Sequence, residues 1–192
     1  MACNNKLTDD ILQSCDDLPR KGLKGSSAVI INYDDIDFTS TTSSGATVSS
    51  LTLQSGKTGY KLEWFKELGN AGAVYAPNSE DIDGFTASFA SRLTTNSTEN
   101  SERANEIKNG LFVMVVRTKY VGNDGLDEFK IYGFENGLRL SEMTHNTNEN
   151  SAGFAFTLST EEGAVEQYPY YTFLETDYAT SKASYDALFA EA

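Results

Sequence analysis

Proton transfer near neutral pH calls for a group that titrates there, and this 192-residue chain has one histidine, His145, in the polar run 143–148. A nucleophilic triad would also need a serine on a strand-to-helix elbow, and no G-x-S-x-G occurs. His145 is therefore expected as a solvent-exposed loop residue. Carboxylates are plentiful: Asp34, Asp35 and Asp37; Glu80, Asp81 and Asp83; Glu161 and Glu162. Glycosidic cleavage needs two of them at a set separation in a cleft, which spacing along a chain does not establish. The Asp34–Asp37 group offers hard oxygen donors suited to calcium but lacks the spacing and glycine of an EF-hand loop. Cys3 and Cys15 have no C-x-x-C spacing, and one histidine is too few for a Cys/His zinc cluster, so two free thiols are expected, with a single bridge between them as the alternative. A phosphate loop and a dinucleotide fingerprint are missing. The expectation is a protein that is not an enzyme, with no catalytic residue, no cofactor and no metal site.

The remaining chemistry is aromatic. Tyr168, Tyr170, Tyr171 and Phe173 lie together near the C-terminus, and with Trp64 such residues could form a sugar-stacking platform. They could equally close a sheet or fill a subunit interface. Asn96, Ser97 and Thr98 have the glycosylation spacing without a secretory context.

Twenty-eight acidic residues face fifteen basic ones, a formal charge of −13. A surface of that sign repels phosphate backbones, which argues against tight nucleic-acid binding over a broad face. It keeps a protein soluble, and it would also let DNA slide past without sticking. About 18 consecutive apolar residues occur nowhere, which excludes a transmembrane helix, and no apolar run follows the N-terminus to make a secretory signal. A membrane partner is not expected.

The length suits one domain. Residues 1–24 read as an N-terminal arm with a short helix at most. Residues 25–177 read as a β-sandwich or open barrel of about eight antiparallel strands, with one or two peripheral helices, and 178–192 as a C-terminal helical tail. Strand signals fall at 26–38, at 47–53 and 58–65 as a hairpin about the turn 54–57, and at 83–93, where Phe85, Ala87 and Phe89 share a face. Residues 39–46, nearly all Ser, Thr and Gly, and 69–77 read as loops. A surface helix is predicted at 98–108, capped by Ser101 and stopped by Gly110. The strongest strand, 111–121, is apolar on both faces in its first half and should be central. Gly122, Asn123, Asp124 and Gly125 form a turn into 128–134, and a strand at 152–159 puts Phe154, Phe156 and Leu158 on one face.

From Asn109 onward the chain resembles the major tail tube proteins of tailed bacteriophages, which are related to the tubes of contractile injection systems. The likeness is carried by the order of features: a strand and helix over 85–108 before the central strand, the segment 129–138 ending in the turn Glu135, Asn136, Gly137, and the late strand and acidic turn over 153–162. It spans residues 25–175 in element order, and the tail from Tyr178 has no counterpart. The resemblance implies a virion structural protein that forms a homo-oligomeric ring, expected to be hexameric, assembled in the host cytoplasm. Rings would stack into a hollow tube for DNA passage and meet other tail or connector proteins. The lumen is expected on the polar faces of the strands around 47–65, and inter-ring contacts on the loop 39–45 and the N-terminal arm. The alternatives are a head–tail connector or a capsid-decorating protein, and, from a different class, a carbohydrate-binding β-sandwich using Tyr168, Tyr170, Tyr171 and Trp64.

Overall fold

The computed structural model describes residues 6–12, 20–78 and 82–189. Eleven strands and two α-helices are found among them. In chain order they are β1 (Leu23–Asn32), β2 (Thr42–Ser44), β3 (Thr47–Ser50), β4 (Tyr60–Glu63), β5 (Asn70–Ala76), β6 (Gly84–Leu93), α1 (Thr98–Ile107), β7 (Phe112–Thr118), β8 (Phe129–Tyr132), β9 (Arg139–His145), β10 (Phe154–Ser159), β11 (Tyr171–Phe173) and α2 (Tyr178–Ala187). A seven-stranded sheet runs β2-β3-β11-β8-β7-β1-β4, and a four-stranded sheet runs β5-β6-β10-β9. The mainly β, sandwich-like expectation is borne out, without a closed barrel. The strands are more numerous than about eight, and one pair, β11 with β3, is parallel.

The unbroken apolar run of β7 is explained by two cores. Phe112, Met114 and Val116 point between the sheets, where they meet Ala87 and Phe89 of β6 and Phe156 and Leu158 of β10. Val113 and Val115 point the other way, against Phe129, Ile131, Phe173, and Tyr185 of α2. A strand covered on both faces cannot alternate. Residues on α2 extend this second core: Tyr185 lies 5.1 Å from the Phe129 ring and Tyr178 stacks on it at 5.9 Å. Asp177 caps the helix by accepting from the Thr180 amide.

Four local expectations are corrected. The predicted hairpin over 47–65 does not form, although its turn exists, with the Lys57 amide donating to the Gln54 carbonyl. β3 pairs with β2 and β11 at one end of the large sheet, while β4 pairs with β1 at the other. The reason is tertiary: the Ala28–Ile31 run of β1 needs a neighbour on each side, β7 supplies one, and β4 the other. The Ser/Thr segment 39–46 is not simply a loop, since Thr42–Ser44 pairs with β3 around Gly45, whose φ is +55°. The loop read at 69–77 is β5, with seven consecutive residues in register with β6; Ala and Gly are poor strand formers, and the partner overrides propensity. α1 is capped by Ser97, whose side chain accepts from the Asn100 amide, rather than by Ser101, which lies inside the helix.

Candidate assembly surface

Among the described residues, those able to do chemistry do not converge. His145 ends β9 instead of lying in a loop; it is exposed, stacks on Phe154 at 4.7 Å and sets Nδ1 3.3 Å from the Gly153 carbonyl oxygen. Asp34, Asp35 and Asp37 diverge: Asp35 accepts from Asn32 and pairs with Lys57 at 2.9 Å, while Asp37 accepts from the Thr39 and Ser40 amides. At Asp37 the Ser40 hydroxyl, donating at 2.7 Å, contributes most, and with these hydrogen bonds both carboxyls are held below the usual range. Asp83 accepts from the Tyr75 hydroxyl, Glu161 pairs with Arg139, and Glu80 and Asp81 lie outside the described residues, as do Cys3 and Cys15. Among the described residues no three metal-ligating side chains come together.

Two buried acids were not singled out in the sequence. Glu128, 1% exposed, bridges Lys24 at 2.6 Å and Arg117 at 2.6 Å, tying β1, β7 and the start of β8. Glu166, buried equally, accepts from the amides of Glu135 and Asn136 at 3.0 Å each. Burial raises its pKa, which those hydrogen bonds only partly offset. Glu135 in turn accepts from the Tyr171 hydroxyl and the Gln167 amide, both at 2.6 Å. Each carboxylate oxygen is used in holding the fold, with nothing directed at a cleft. Glu128 falls in the alternation leading into β8; Glu166 has no sequence signal, since its partners lie thirty residues away.

The aromatic platform is taken apart by the sheet. Trp64 packs between the two sheets and Tyr171 on the opposite face of the large sheet, so one surface cannot hold both. Tyr168 packs edge-on to Tyr171 at 5.4 Å, and Tyr170 alone of the three tyrosines is exposed, beside the Lys130 ammonium. Tyr168, Tyr171 and Phe173 close one core and Trp64 the other, and Tyr170 stays at the surface.

What the fold does expose is strand edge. Natural sheets blunt their edges with shortness, charge or bulges, because unpaired N–H and C=O groups invite another strand. β2 is three residues long, β4 is four and carries the Lys61–Glu63 ion pair, and β9 bears Arg139 and Glu142 opposite an irregularity at Thr157 and Leu158 of β10. β5 has none of these devices. Its seven residues carry no charge, its register with β6 has no shift, and Val74 and Tyr75 are 70% and 56% exposed. In a chain of charge −13 this strand brings no charge of its own to a contact, the nearest acid being Asp83 at the Tyr75 hydroxyl.

Comparison with protein-family models, curated proteins and solved structures returned no match for this chain. No helix among the described residues is long and apolar enough to cross a membrane.

Proposed function

We propose that this chain is a virion structural protein whose copies join edge to edge into a ring, and that rings stack into the tail tube through which DNA passes. The unguarded edge of β5 is the observation that carries the reading. The other edge of its sheet is β9, only partly blunted by Arg139, Glu142 and the irregularity opposite, so β5 of one copy and β9 of the next would continue the four-stranded sheet around a ring. Six copies at roughly 4.8 Å per strand make a circumference of about 115 Å before tilt, wide enough for a duplex. The outer face of that sheet carries Thr86, Ser88, Ala90, Ala155, Thr157 and Ser159, together with Arg92 and, on β9, Arg139 and Glu142, alternating with the residues that fill the core. Mostly small side chains and hydroxyls, with charge of both signs, would give DNA few fixed points to grip. The lumen is therefore assigned to this sheet rather than to residues 47–65, which the fold sends to opposite ends of the large one.

Purified protein viewed by negative-stain electron microscopy, beside light scattering over a concentration series, tests the reading. Rings or tubes with a central hole are expected, their symmetry separating a tube from a connector. A strict monomer at every concentration, alone and with tail partners, overturns it.

A further inference from the structure

Charge is placed unevenly along the large sheet. At the end where β1 begins, Lys21, Lys24, Lys66, Arg117 and Lys119 come together. The Lys119 amide donates to the Gly22 carbonyl at 2.9 Å and its side chain lies against Gly22, while the Ser26 hydroxyl donates to the Lys66 carbonyl at 3.0 Å. Lys24 and Arg117 share the single carboxylate of Glu128, and Lys119 pairs with Glu67. Lys21 and Lys66 are exposed and belong to no ion pair among the described residues. Of the acids nearby, Asp127 is held by Lys130, and Asp124 is exposed in the turn after β7. In a chain of charge −13, this corner carries a surplus of positive charge.

The end where β1 stops is acidic. Asp34, Asp35 and Asp37 follow the strand, the Tyr33 hydroxyl reaches the Glu135 carbonyl, and the loop that carries Glu162 is pinned there by Glu166 on the Glu135 amide. Lys57 and Arg139 are already taken, by Asp35 and Glu161. The acids act on one another's surroundings: the Tyr33 hydroxyl has its pKa raised first by burial and then by Glu166, Glu135 and Asp34. β1 is ten residues long, which sets the two ends roughly 30 Å apart at the rise of a strand.

We infer that the basic corner at the start of β1 docks on the acidic end of a second copy. Opposite potentials on two surfaces speed their encounter and fix their orientation, and like potentials reject the wrong one. The chain's own acids stand too far off to neutralise its corner, whereas every other copy presents the same acidic end. End to end, opposite signs meet only head to tail, since a two-fold contact between like ends sets like charges face to face. A head-to-tail contact is heterologous and repeats without closing, so it builds a stack. The docking rests on the self-assembly reading, supplies the join between successive rings, and uses surfaces separate from the β5 edge.

An exchange of charge tests it, at four exposed positions so that the monomer fold is kept. One variant carries Lys21→Glu and Lys66→Glu, the other Asp34→Lys and Glu162→Lys. Sedimentation velocity at low salt should show association between copies weakened about tenfold in each variant alone. The second variant should weaken although it lowers the net charge, which sets the contact apart from general repulsion. Mixing the two variants pairs opposite signs again and should restore association to within about threefold, and the differences should vanish near 1 M salt, where the Debye length is about 3 Å. Variants that associate like the natural protein, or a mixture that recovers nothing, overturn the docking. The same cycle in a Val74→Lys background, which blocks the β5 joint, separates the two contacts. A cycle that persists there supports the docking whether or not rings form, and one that disappears assigns the charge effect to the β5 joint and overturns it. A short DNA duplex is the competing probe. If the natural protein binds it, Lys21→Glu with Lys66→Glu abolishes that binding, and copies associate as before, the corner is a polyanion site and the second copy is overturned as its occupant.

Discussion

Lysine at position 74 is the substitution that the β5 edge most directly calls for, because a charge in an edge strand is the device natural sheets use and this one omits. Val74 lies on the edge strand opposite Thr86 and is already 70% exposed, so Val74→Lys should change monomer stability by no more than about 0.5 kcal/mol. At a joint between copies the accounting differs. Fully burying a valine contributes about 1.5–3 kcal/mol; Val74 shares the outer face with Thr86, so a joint covers only its flank and about half of that is gained on assembly. The lost cross-strand pair adds about 0.2–1 kcal/mol. A ring has one joint per subunit, so a loss of about 2 kcal/mol per joint raises the concentration needed for assembly roughly thirtyfold. Sedimentation velocity over a hundredfold range of concentration reads that shift, with a urea unfolding curve on the monomer as control. An assembly midpoint within threefold of the unsubstituted protein, at unchanged monomer stability, would refute the reasoning, since no joint through this edge could ignore a lysine there.

Three further outcomes follow from the two cores and the buried acids. Tyr185→Ala removes a ring buried against Phe129 and Phe189 and should cost about 3 kcal/mol in urea unfolding with one cooperative transition; a loss under 1 kcal/mol would mean that α2 does not share the core. Glu128→Gln leaves Arg117 and Lys24 without their shared carboxylate and should cost about 2–3 kcal/mol, discounted because Lys24 is partly solvated. Failure to lose even 0.5 kcal/mol would show that the bridge is not coupled to folding. Glu166 has its pKa raised by burial, so its protonated form is the one the fold favours. Its contribution is fully present below its ordinary carboxylate range and is lost as pH rises through the elevated folded value. The stability difference between the natural protein and Glu166→Gln, measured by urea midpoints at several pH values, should therefore shift toward the glutamine variant as pH rises through that window. A constant difference would rule out the buried carboxylate as its source.

The sequence by itself determined the elements whose burial is written locally. The alternation of Phe85, Ala87 and Phe89 marks β6, that of Phe156 and Leu158 marks β10, and the two-sided apolar run of β7 announces a central strand. Each follows from the period of a pleated strand and needs no knowledge of partners. The glycine-rich turn at 122–125 was legible for the same reason, as Gly122, Asp124 and Gly125 all have positive φ. Only the tertiary structure decided who pairs with whom. β3 and β4 follow one another through a well-formed turn yet part to opposite ends of a sheet, because pairing is settled by which apolar strand lacks a neighbour. β5, made of Ala, Gly and Asn around Val74 and Tyr75, has no strand signal and exists because β6 offers its edge. The candidate surface was hidden in consequence: a strand edge is defined by the neighbour it lacks, and that is a property of the whole sheet rather than of any seven residues.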